Sequence, residues 1–188
     1  MNISIPDNCK NIAILFSGGM DSTILLYLIL EKLQEENKTD IIVKCYIMNT
    51  GSHTYENCTK IILKLENIFS RKIYKQKLPR SFIRDTVKKI LDFDGGYVFS
   101  GCNKVLDNLN PTVYIKGDTP PIRGPAYNEF HIRPFIDIEK SDIAYTYYEK
   151  NLVDLLNMTY SCGANFITPC EGCYFCLERA WALGVINI

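Results

Sequence analysis

The segment ILFSGGMDST, residues 14–23, constrains the fold of this 188-residue chain more than any other feature. An apolar run from Ile12 to Phe16 ends at a serine and two glycines, and apolar residues at helical spacing follow from Ser22 onward. A short, continuous apolar run is typical of a strand that is buried on both faces of a parallel sheet. Strand, glycine turn and helix together form the first half of a βαβ unit.

The same alternation of apolar runs and helical periodicity continues along the chain. The pattern predicts further strands at 41–48, 72–78 and 97–101. It predicts helices at 22–36, 56–69, 81–92, 138–150 and 152–156. Repeated strands and helices of this length predict an α/β fold with a doubly wound, mostly parallel sheet.

Residues 102–133 interrupt this alternation. Prolines stand at Pro111, Pro120, Pro121 and Pro125. Because proline breaks a helix interior, a regular helix is excluded here. We expect a long irregular connection, which in a compact domain is often a functional loop.

The glycine turn can serve as an anion site. Backbone N–H groups of such a turn point toward one spot, and the start of the helix adds partial positive charge. Gly18 and Gly19 allow close approach because they have no Cβ, and Ser17 and Ser22 add hydroxyl donors. Asp21 fits if it caps the helix, orients the loop or meets a Mg²⁺ ion carried by phosphates. The alternative is a tight turn without a ligand.

Half of the eight cysteines are clustered near the end of the chain. They are Cys162, Cys170, Cys173 and Cys176, at the spacing C-x7-C-x2-C-x2-C. Two-residue gaps let thiolates converge on one ion, so a structural Cys₄ Zn²⁺ site is predicted. An iron–sulfur cluster is the alternative, because the same ligands bind iron. The other cysteines are scattered, and no disulfide framework is expected.

Charge and hydropathy argue against two classes of partner. Lys plus Arg equals Asp plus Glu at 21 each, so no global positive field favours nucleic acid. No apolar run approaches the roughly 20 residues that span a bilayer, and residues 1–10 lack the pattern of a secretion signal. We expect a cytoplasmic protein without a nucleic-acid or membrane partner.

The glycine turn and the cysteine cluster together resemble a known family. The pattern S-G-G-x-D-S at residues 17–22 resembles the PP-loop of the ATP pyrophosphatase superfamily, and with the four cysteines it is similar to the 7-cyano-7-deazaguanine (preQ0) synthase family. Further segments resemble motifs of that family in the same order: Gly51 with His53 and Glu56, Gly101 with Asn103, Arg133 to Phe135 with Lys140 and Ile143, Thr159 with Ser161 and Cys162, and Cys173 with Cys176 and Arg179.

The resemblance implies an ATP-dependent C–N ligase. It implies that 7-carboxy-7-deazaguanine and ammonia are converted to preQ0 through adenylated intermediates, on an adenine nucleotide alpha hydrolase-like fold. We expect a nucleotide-binding domain at 1–150 with a zinc-binding segment at 151–188 packed on it. A homodimer would follow from family precedent.

The resemblance also assigns roles to residues. ATP would be bound by Phe16, Ser17, Gly18, Gly19, Asp21, Ser22 and Thr23, with Mg²⁺ as the counter-ion of its phosphates. Catalytic roles would fall to Ser17, Asp21 and Lys140. For Lys140 two interpretations are equally supported: it neutralises charge on the phosphates, or it is an ordinary lysine on a helix surface. The weaker candidates for the site are His53, Asn103, Asp118 and Arg123.

Residues 104–128 depart from the family, because they lack its acidic stretch and its Tyr-Pro-Asp-Cys-Arg-like stretch. Three alternatives therefore stay open. One is a PP-loop tRNA thiolase with an iron–sulfur cluster, and a second is a sulfonucleotide reductase of the same superfamily. The third is a nucleotide-binding protein without catalytic activity.

Overall fold

The computed structural model describes residues 1–48, 52–78, 83–94, 96–114, 125–163 and 168–185. The strands are β1 (Asn11–Leu15), β2 (Ile42–Met48), β3 (Tyr74–Leu78), β4 (Tyr97–Ser100) and β5 (His131–Ile132). The helices are α1 (Met20–Glu35), α2 (Ser52–Phe69), α3 (Ile83–Asp94), α4 (Lys140–Glu149), α5 (Val153–Met158) and α6 (Tyr174–Ala182).

The strands form one sheet in the order β3-β2-β1-β4-β5, and every neighbouring pair is parallel. The chain moves outward from β1 through β2 to β3, and then returns to place β4 on the other side of β1. The strand order therefore reverses between β1 and β4, which is where open α/β sheets bind ligands at the carboxyl ends of their strands. The predicted mostly parallel α/β fold is confirmed.

Helices cover both faces of the sheet because the side chains of a strand alternate. On β1, Ile12 and Ile14 belong to the main core, which also contains apolar residues of α1, α2, α4 and α5. Ala13 points to the other face and packs in a smaller cluster with Val87 and Ile90 of α3. A sheet with helices on both faces needs continuous apolar strands, as the sequence of β1 has.

Two elements were not predicted from the sequence. Strand β5 lies inside the predicted irregular connection, and its two residues pair with Val98 and Phe99 of β4. Helix α6 begins directly after Cys173, within the cysteine cluster. Both are short, so neither shows the repeated periodicity on which sequence prediction depends. None of the helices in the described ranges is both long enough and apolar enough to cross a membrane.

Candidate nucleotide site and cysteine cluster

Residues 16–19 form the glycine loop, which connects the central strand β1 to helix α1. The Phe16 N–H donates to the Tyr46 carbonyl at 2.9 Å, which extends the pairing of β1 with β2 by one residue. Gly18 has φ +72°, and a Cβ there would lie 2.9 Å from Cys58 Sγ. Both the left-handed backbone and the close neighbour require glycine at this position.

Serine hydroxyls hold the glycine loop in shape. Ser17 Oγ lies 3.0 Å from Ser22 Oγ and accepts the Gly19 N–H at 3.2 Å. Ser22 Oγ also accepts the Ser17 N–H at 3.2 Å. Thr23 is fully buried, and its N–H donates to the Gly19 carbonyl at 3.1 Å, within the first turn of α1. The N–H groups that precede it lack acceptors within the helix, so the loop and helix start suit an anion.

The end of β4 packs directly against the first turn of α1. A Cβ on Gly101 would lie 2.9 Å from both the Asp21 carbonyl carbon and the Ser22 nitrogen. Any larger residue would therefore separate β4 from α1. This contact places the glycine loop at the reversal of strand order between β1 and β4.

Helix α4 also packs on the start of α1. The Tyr147 hydroxyl is buried and donates to the Met20 carbonyl at 2.7 Å. This bond joins residues that are 127 positions apart in the sequence. It fixes the last turn of α4 against the start of α1, and Lys140 is the first residue of the same helix.

Lys140 lies between two carboxylates in what we call the carboxylate–lysine cluster, consisting of Asp21, Lys140 and Glu178. Its Nζ is 2.9 Å from Asp21 Oδ2 and 2.5 Å from Glu178 Oε2. Lys140 is only 2% exposed, so it is not a surface lysine. Burial by itself would lower the pKa of Lys140, but the charges of Asp21 and Glu178 outweigh that effect and raise it. The ammonium therefore stays protonated at neutral pH.

Glu178 is a residue of this site that the sequence analysis missed. Its Oε1 accepts from Asn103 Nδ2 at 3.0 Å and from the Tyr174 hydroxyl at 3.4 Å, and both Asn103 and Glu178 are fully buried. A buried carboxylate needs partners of this kind, because burying it unpaired is costly. Its position two residues after Cys176 was visible in the sequence, but the direction of the side chain depends on α6, which was not predicted.

The segment that leads into Cys162 contacts the glycine loop. The Tyr160 N–H donates to the Gly18 carbonyl at 2.9 Å. Arg179 of α6 fixes the preceding turn, since its guanidinium donates to Thr159 Oγ1 at 2.5 Å and to the Leu156 carbonyl at 3.1 Å. The glycine loop is thus bonded to the same segment that carries the cysteines.

Ser161 places a hydroxyl beside the glycine loop. Its Oγ lies 3.9 Å from where a Cβ of Gly19 would be. The atom is buried and has no hydrogen-bond partner in the described part of the chain. Buried hydroxyls are almost always paired, so a ligand at the loop would explain this one.

The four clustered cysteines converge on one point. Their Sγ atoms all lie within 4.8 Å of one another, an arrangement that could hold a metal ion. The Cys170 and Cys176 sulfurs are 3.9 Å apart, and Cys170 Sγ accepts the Cys173 N–H at 3.3 Å. None of the eight cysteines, all of which lie in the described ranges, forms a disulfide.

The beginning of the divergent 104–128 segment packs on this cluster. The N–H groups of Thr112 and Val113 donate to the Gly172 carbonyl at 2.9 and 3.0 Å. Gly172 has no Cβ, and one placed there would collide with the Thr112 hydroxyl. Residues 112 and 113 of the divergent segment therefore support the cysteine loop at Gly172.

A chain of hydrogen bonds joins the end of β4 to β5. His131 Nδ1 accepts the Tyr127 N–H at 3.2 Å, so Nε2 carries the proton and donates to Ser100 Oγ at 2.9 Å. Ser100 in turn lies 3.6 Å from Cys102 Sγ. Burial, with the positive charge of Arg133, lowers the pKa of His131 to about 4.

The weaker candidates from the sequence fall in different places. Asn103 is buried next to Glu178. His53 belongs to the first turn of α2, and its side chain lies outside the described residues. Asp118 and Arg123 are in residues 115–124, also outside the described ranges.

Comparison with curated sequences gives one distant relative. No family model matches the chain. A UPF0284 protein of Prochlorococcus marinus (strain MIT 9312) is 28% identical over 102 residues, which are 54% of this chain and 26% of that protein. The chain thus spans about a quarter of the length of the curated relative it matches.

Two solved structures resemble this chain in fold at low sequence identity. U34-tRNA thiolase NcsA from Methanococcus maripaludis, with its [4Fe-4S] cluster, matches 95% of this chain and 65% of that chain, with a TM-score of 0.50 and 14% identity. Candida glabrata FMN adenylyltransferase, in complex with FMN and the ATP analogue AMPCPP, matches 74% of this chain and 48% of that chain, with a TM-score of 0.45 and 16% identity. The likeness to NcsA concerns the fold, which here is a parallel α/β sheet with helices on both faces.

Proposed function

We propose that this protein is an ATP-dependent enzyme that converts 7-carboxy-7-deazaguanine and ammonia into preQ0. The observation that carries the proposal is the buried ammonium of Lys140, 2.9 Å from Asp21 in the first turn after the glycine loop. Lys140 lies beside the start of a helix, and a Mg²⁺ ion at Asp21 would balance the net negative charge left by the two carboxylates, so the place suits the negative charge of a polyphosphate. The buried Ser161 hydroxyl adds a donor at the same place.

The chemistry requires activation of a carboxylate, which by itself is a poor electrophile. The carboxylate oxygen attacks the α-phosphorus of ATP, pyrophosphate leaves, and an acyl adenylate forms. Ammonia then displaces AMP to give an amide. A second ATP activates the amide oxygen in the same way, and loss of AMP and protons leaves the nitrile.

In the proposal, the residues predicted to bind ATP have different roles in this reaction. The glycine loop, with Ser22 and Thr23, binds the phosphates, and Lys140 offsets the charge of the departing pyrophosphate. Asp21 and Ser17 orient the loop, and the Asp21 carboxylate is suited to a Mg²⁺ ion that accompanies ATP. The Mg²⁺ ion would supply further neutralisation of the phosphate charge.

For the cysteine cluster we propose a single Zn²⁺ ion. A tetrahedron with metal–sulfur bonds of about 2.3 Å has edges of about 3.8 Å, close to the 3.9 Å between the Cys170 and Cys176 sulfurs. Cysteine sulfurs around an iron–sulfur cluster lie farther apart, because several atoms separate them. This spacing supports the ligase over the tRNA thiolase. The 1–150 and 151–188 division, a homodimer and a cytoplasmic location remain parts of the proposal.

The test is incubation of the purified protein with ATP, Mg²⁺, ammonia and 7-carboxy-7-deazaguanine. We expect AMP, pyrophosphate and the nitrile, detected by chromatography and mass spectrometry. Asp21→Ala and Ser17→Ala should lose turnover while keeping the circular dichroism spectrum of the fold. Ser4→Ala, at an exposed serine far from the loop in sequence, is the matched control and should keep full turnover.

Two outcomes would contradict the proposal. Absence of both AMP and nitrile in the wild-type protein would exclude this ligase activity. Unchanged turnover in Asp21→Ala and Ser17→Ala would show that the glycine loop is only a turn.

A further inference from the structure

We propose that Glu178 is a positioning residue, which holds Lys140 for the nucleotide and thereby makes nucleotide affinity depend on the cysteine segment. The inference rests on the proposed ATP site. Glu178 is on α6, the helix that also supplies Cys176, whereas Asp21 is on α1 beside the glycine loop. Lys140, on α4, joins the two through its 2.9 and 2.5 Å ion pairs.

The first step of the argument is the charge of the carboxylate–lysine cluster. Two carboxylates and one ammonium leave the cluster with a net negative charge, and all three groups are largely shielded from water. Asp21 alone would neutralise Lys140, so the second carboxylate is not needed for charge balance. Glu178 instead anchors the ammonium from α6, whereas Asp21 contacts it from α1.

The second step is the rigidity of Glu178. Asn103 and Tyr174 both donate to its Oε1, which leaves Oε2 directed to Lys140. Tyr174 is itself held, because its hydroxyl accepts the Leu106 N–H at 2.9 Å. A carboxylate with fixed partners places the lysine more accurately than an exposed one could.

The third step is the second connection from the cysteine segment to the loop. The Tyr160 N–H bonds the Gly18 carbonyl, and Cys162 follows two residues later. A metal bound by Cys162 and Cys176 would therefore fix both ends of this arrangement: the Gly18 carbonyl through Tyr160, and the Lys140 ammonium through Glu178.

The experiment measures binding of the Mg²⁺ complex of AMPCPP by isothermal titration calorimetry to full-length, metal-loaded protein. The variants are Glu178→Gln, Lys140→Gln and the double variant. Gln at 178 can still accept from Asn103 but carries no charge and presents a donor toward Lys140. We expect Glu178→Gln to weaken AMPCPP binding at least tenfold. In the Lys140→Gln background it should have no further effect, because it acts through Lys140.

Controls separate positioning from loss of structure. Glu171→Gln changes an exposed glutamate of the same cysteine segment and should bind AMPCPP as the wild type does. Metal content and thermal unfolding are measured on every variant. If Glu178→Gln does not fold, Glu178→Asp replaces it. Asp keeps the charge, but its side chain is shorter by one methylene. We therefore expect Glu178→Asp to bind AMPCPP about threefold more weakly than the wild type, and we expect no such difference in the Lys140→Gln background.

The outcomes are distinguishable. Wild-type affinity in Glu178→Gln, or an equal loss with and without Lys140, would overturn the positioning role while leaving the ATP site intact. An equal loss of affinity in Glu171→Gln would also overturn it. A wild-type protein that does not bind AMPCPP would overturn the proposed function and this inference together.

Discussion

The serine side chains around the glycine loop differ in whether their hydroxyls have hydrogen-bond partners within the protein. Ser17 and Ser22 are bonded to each other and to the loop backbone, so they determine its shape. Ser161 has a buried hydroxyl without a partner in the described residues, so its contribution is expected to appear only when a ligand binds. The difference predicts opposite effects of mutation on stability and on affinity.

Ser161→Ala should weaken ATP binding and stabilise the free protein. A lost hydrogen bond of about 1 kcal/mol corresponds to about fivefold weaker binding. The free energy of unfolding should rise slightly, because an unpaired hydroxyl is no longer buried. Calorimetric titration with AMPCPP and denaturant unfolding measure the two quantities, with Ser4→Ala as the control. A less stable variant with unchanged affinity would contradict the assignment.

His131 should remain neutral to a lower pH than an ordinary histidine. Its pKa is lowered from 6.5 to about 4 by burial, so between these values the unfolded chain binds a proton that the folded chain does not. The contribution of His131 to stability is therefore complete above pH 6.5 and is lost as the pH falls toward 4, by up to about 1.4 kcal/mol per pH unit.

Nuclear magnetic resonance of the imidazole carbon-bound protons checks this directly. The chain has two histidines, so His53→Gln leaves the His131 signal alone. We expect that signal to keep its neutral position at pH 5.5. A titration centred near 6.5 would show that His131 is not buried as described.

If the proposed zinc site is correct, helix α6 and the cysteine loop before it depend on a metal more than on apolar packing. The apolar cluster around the cysteines is small, and Val113 is one of the few aliphatic side chains that contact it. Cys173→Ser should therefore lose the metal and lower the thermal midpoint by about 10 °C, which corresponds to about 3 kcal/mol at this chain length. Metal analysis should find one zinc per chain in the wild type.

Two controls distinguish the loss of the metal from the cost of burying the new serine hydroxyl at position 173. A chelator should lower the wild-type midpoint to that of Cys173→Ser and leave the variant unchanged. Cys9→Ser, at a buried cysteine outside the cluster, should keep the metal. Full metal content in Cys173→Ser would show that Cys173 is not a metal ligand. Iron and sulfide in the wild-type protein would show an iron–sulfur cluster in place of the single zinc ion.

Elements with strong local signals were predictable, and those defined by distant contacts were not. The apolar run at β1 and the glycines after it predict the strand, the loop and α1, because short-range sterics and burial act there. Strand β5 exists only because β4 is beside it, and the sequence of two residues cannot show that. The role of Glu178 depends on α4 and α1 meeting α6, which no local pattern encodes.

Considered as one fold, the molecule assembles its candidate site from segments that are far apart in sequence. The glycine loop is near the beginning, yet its neighbours include Tyr147, Tyr160 and Glu178. Asp21 was predicted as a site residue on motif alone, and Lys140 was recognised only as one of two equal interpretations. Sequence reasoning named residues that belong to a motif, and it did not name Glu178, which is beside them only in the fold.

The bond from Tyr147 to Met20 also has a consequence for protein synthesis. As the chain leaves the ribosome, β1 and the glycine loop emerge first, but their partner across 127 positions emerges much later. Lys140 and Glu178 follow the same order, so a nascent chain that ends before α6 has the loop without the buried ammonium fixed beside it. If the proposed nucleotide site is correct, a translation product interrupted before α6 would therefore bind ATP more weakly than a chain that extends past α6.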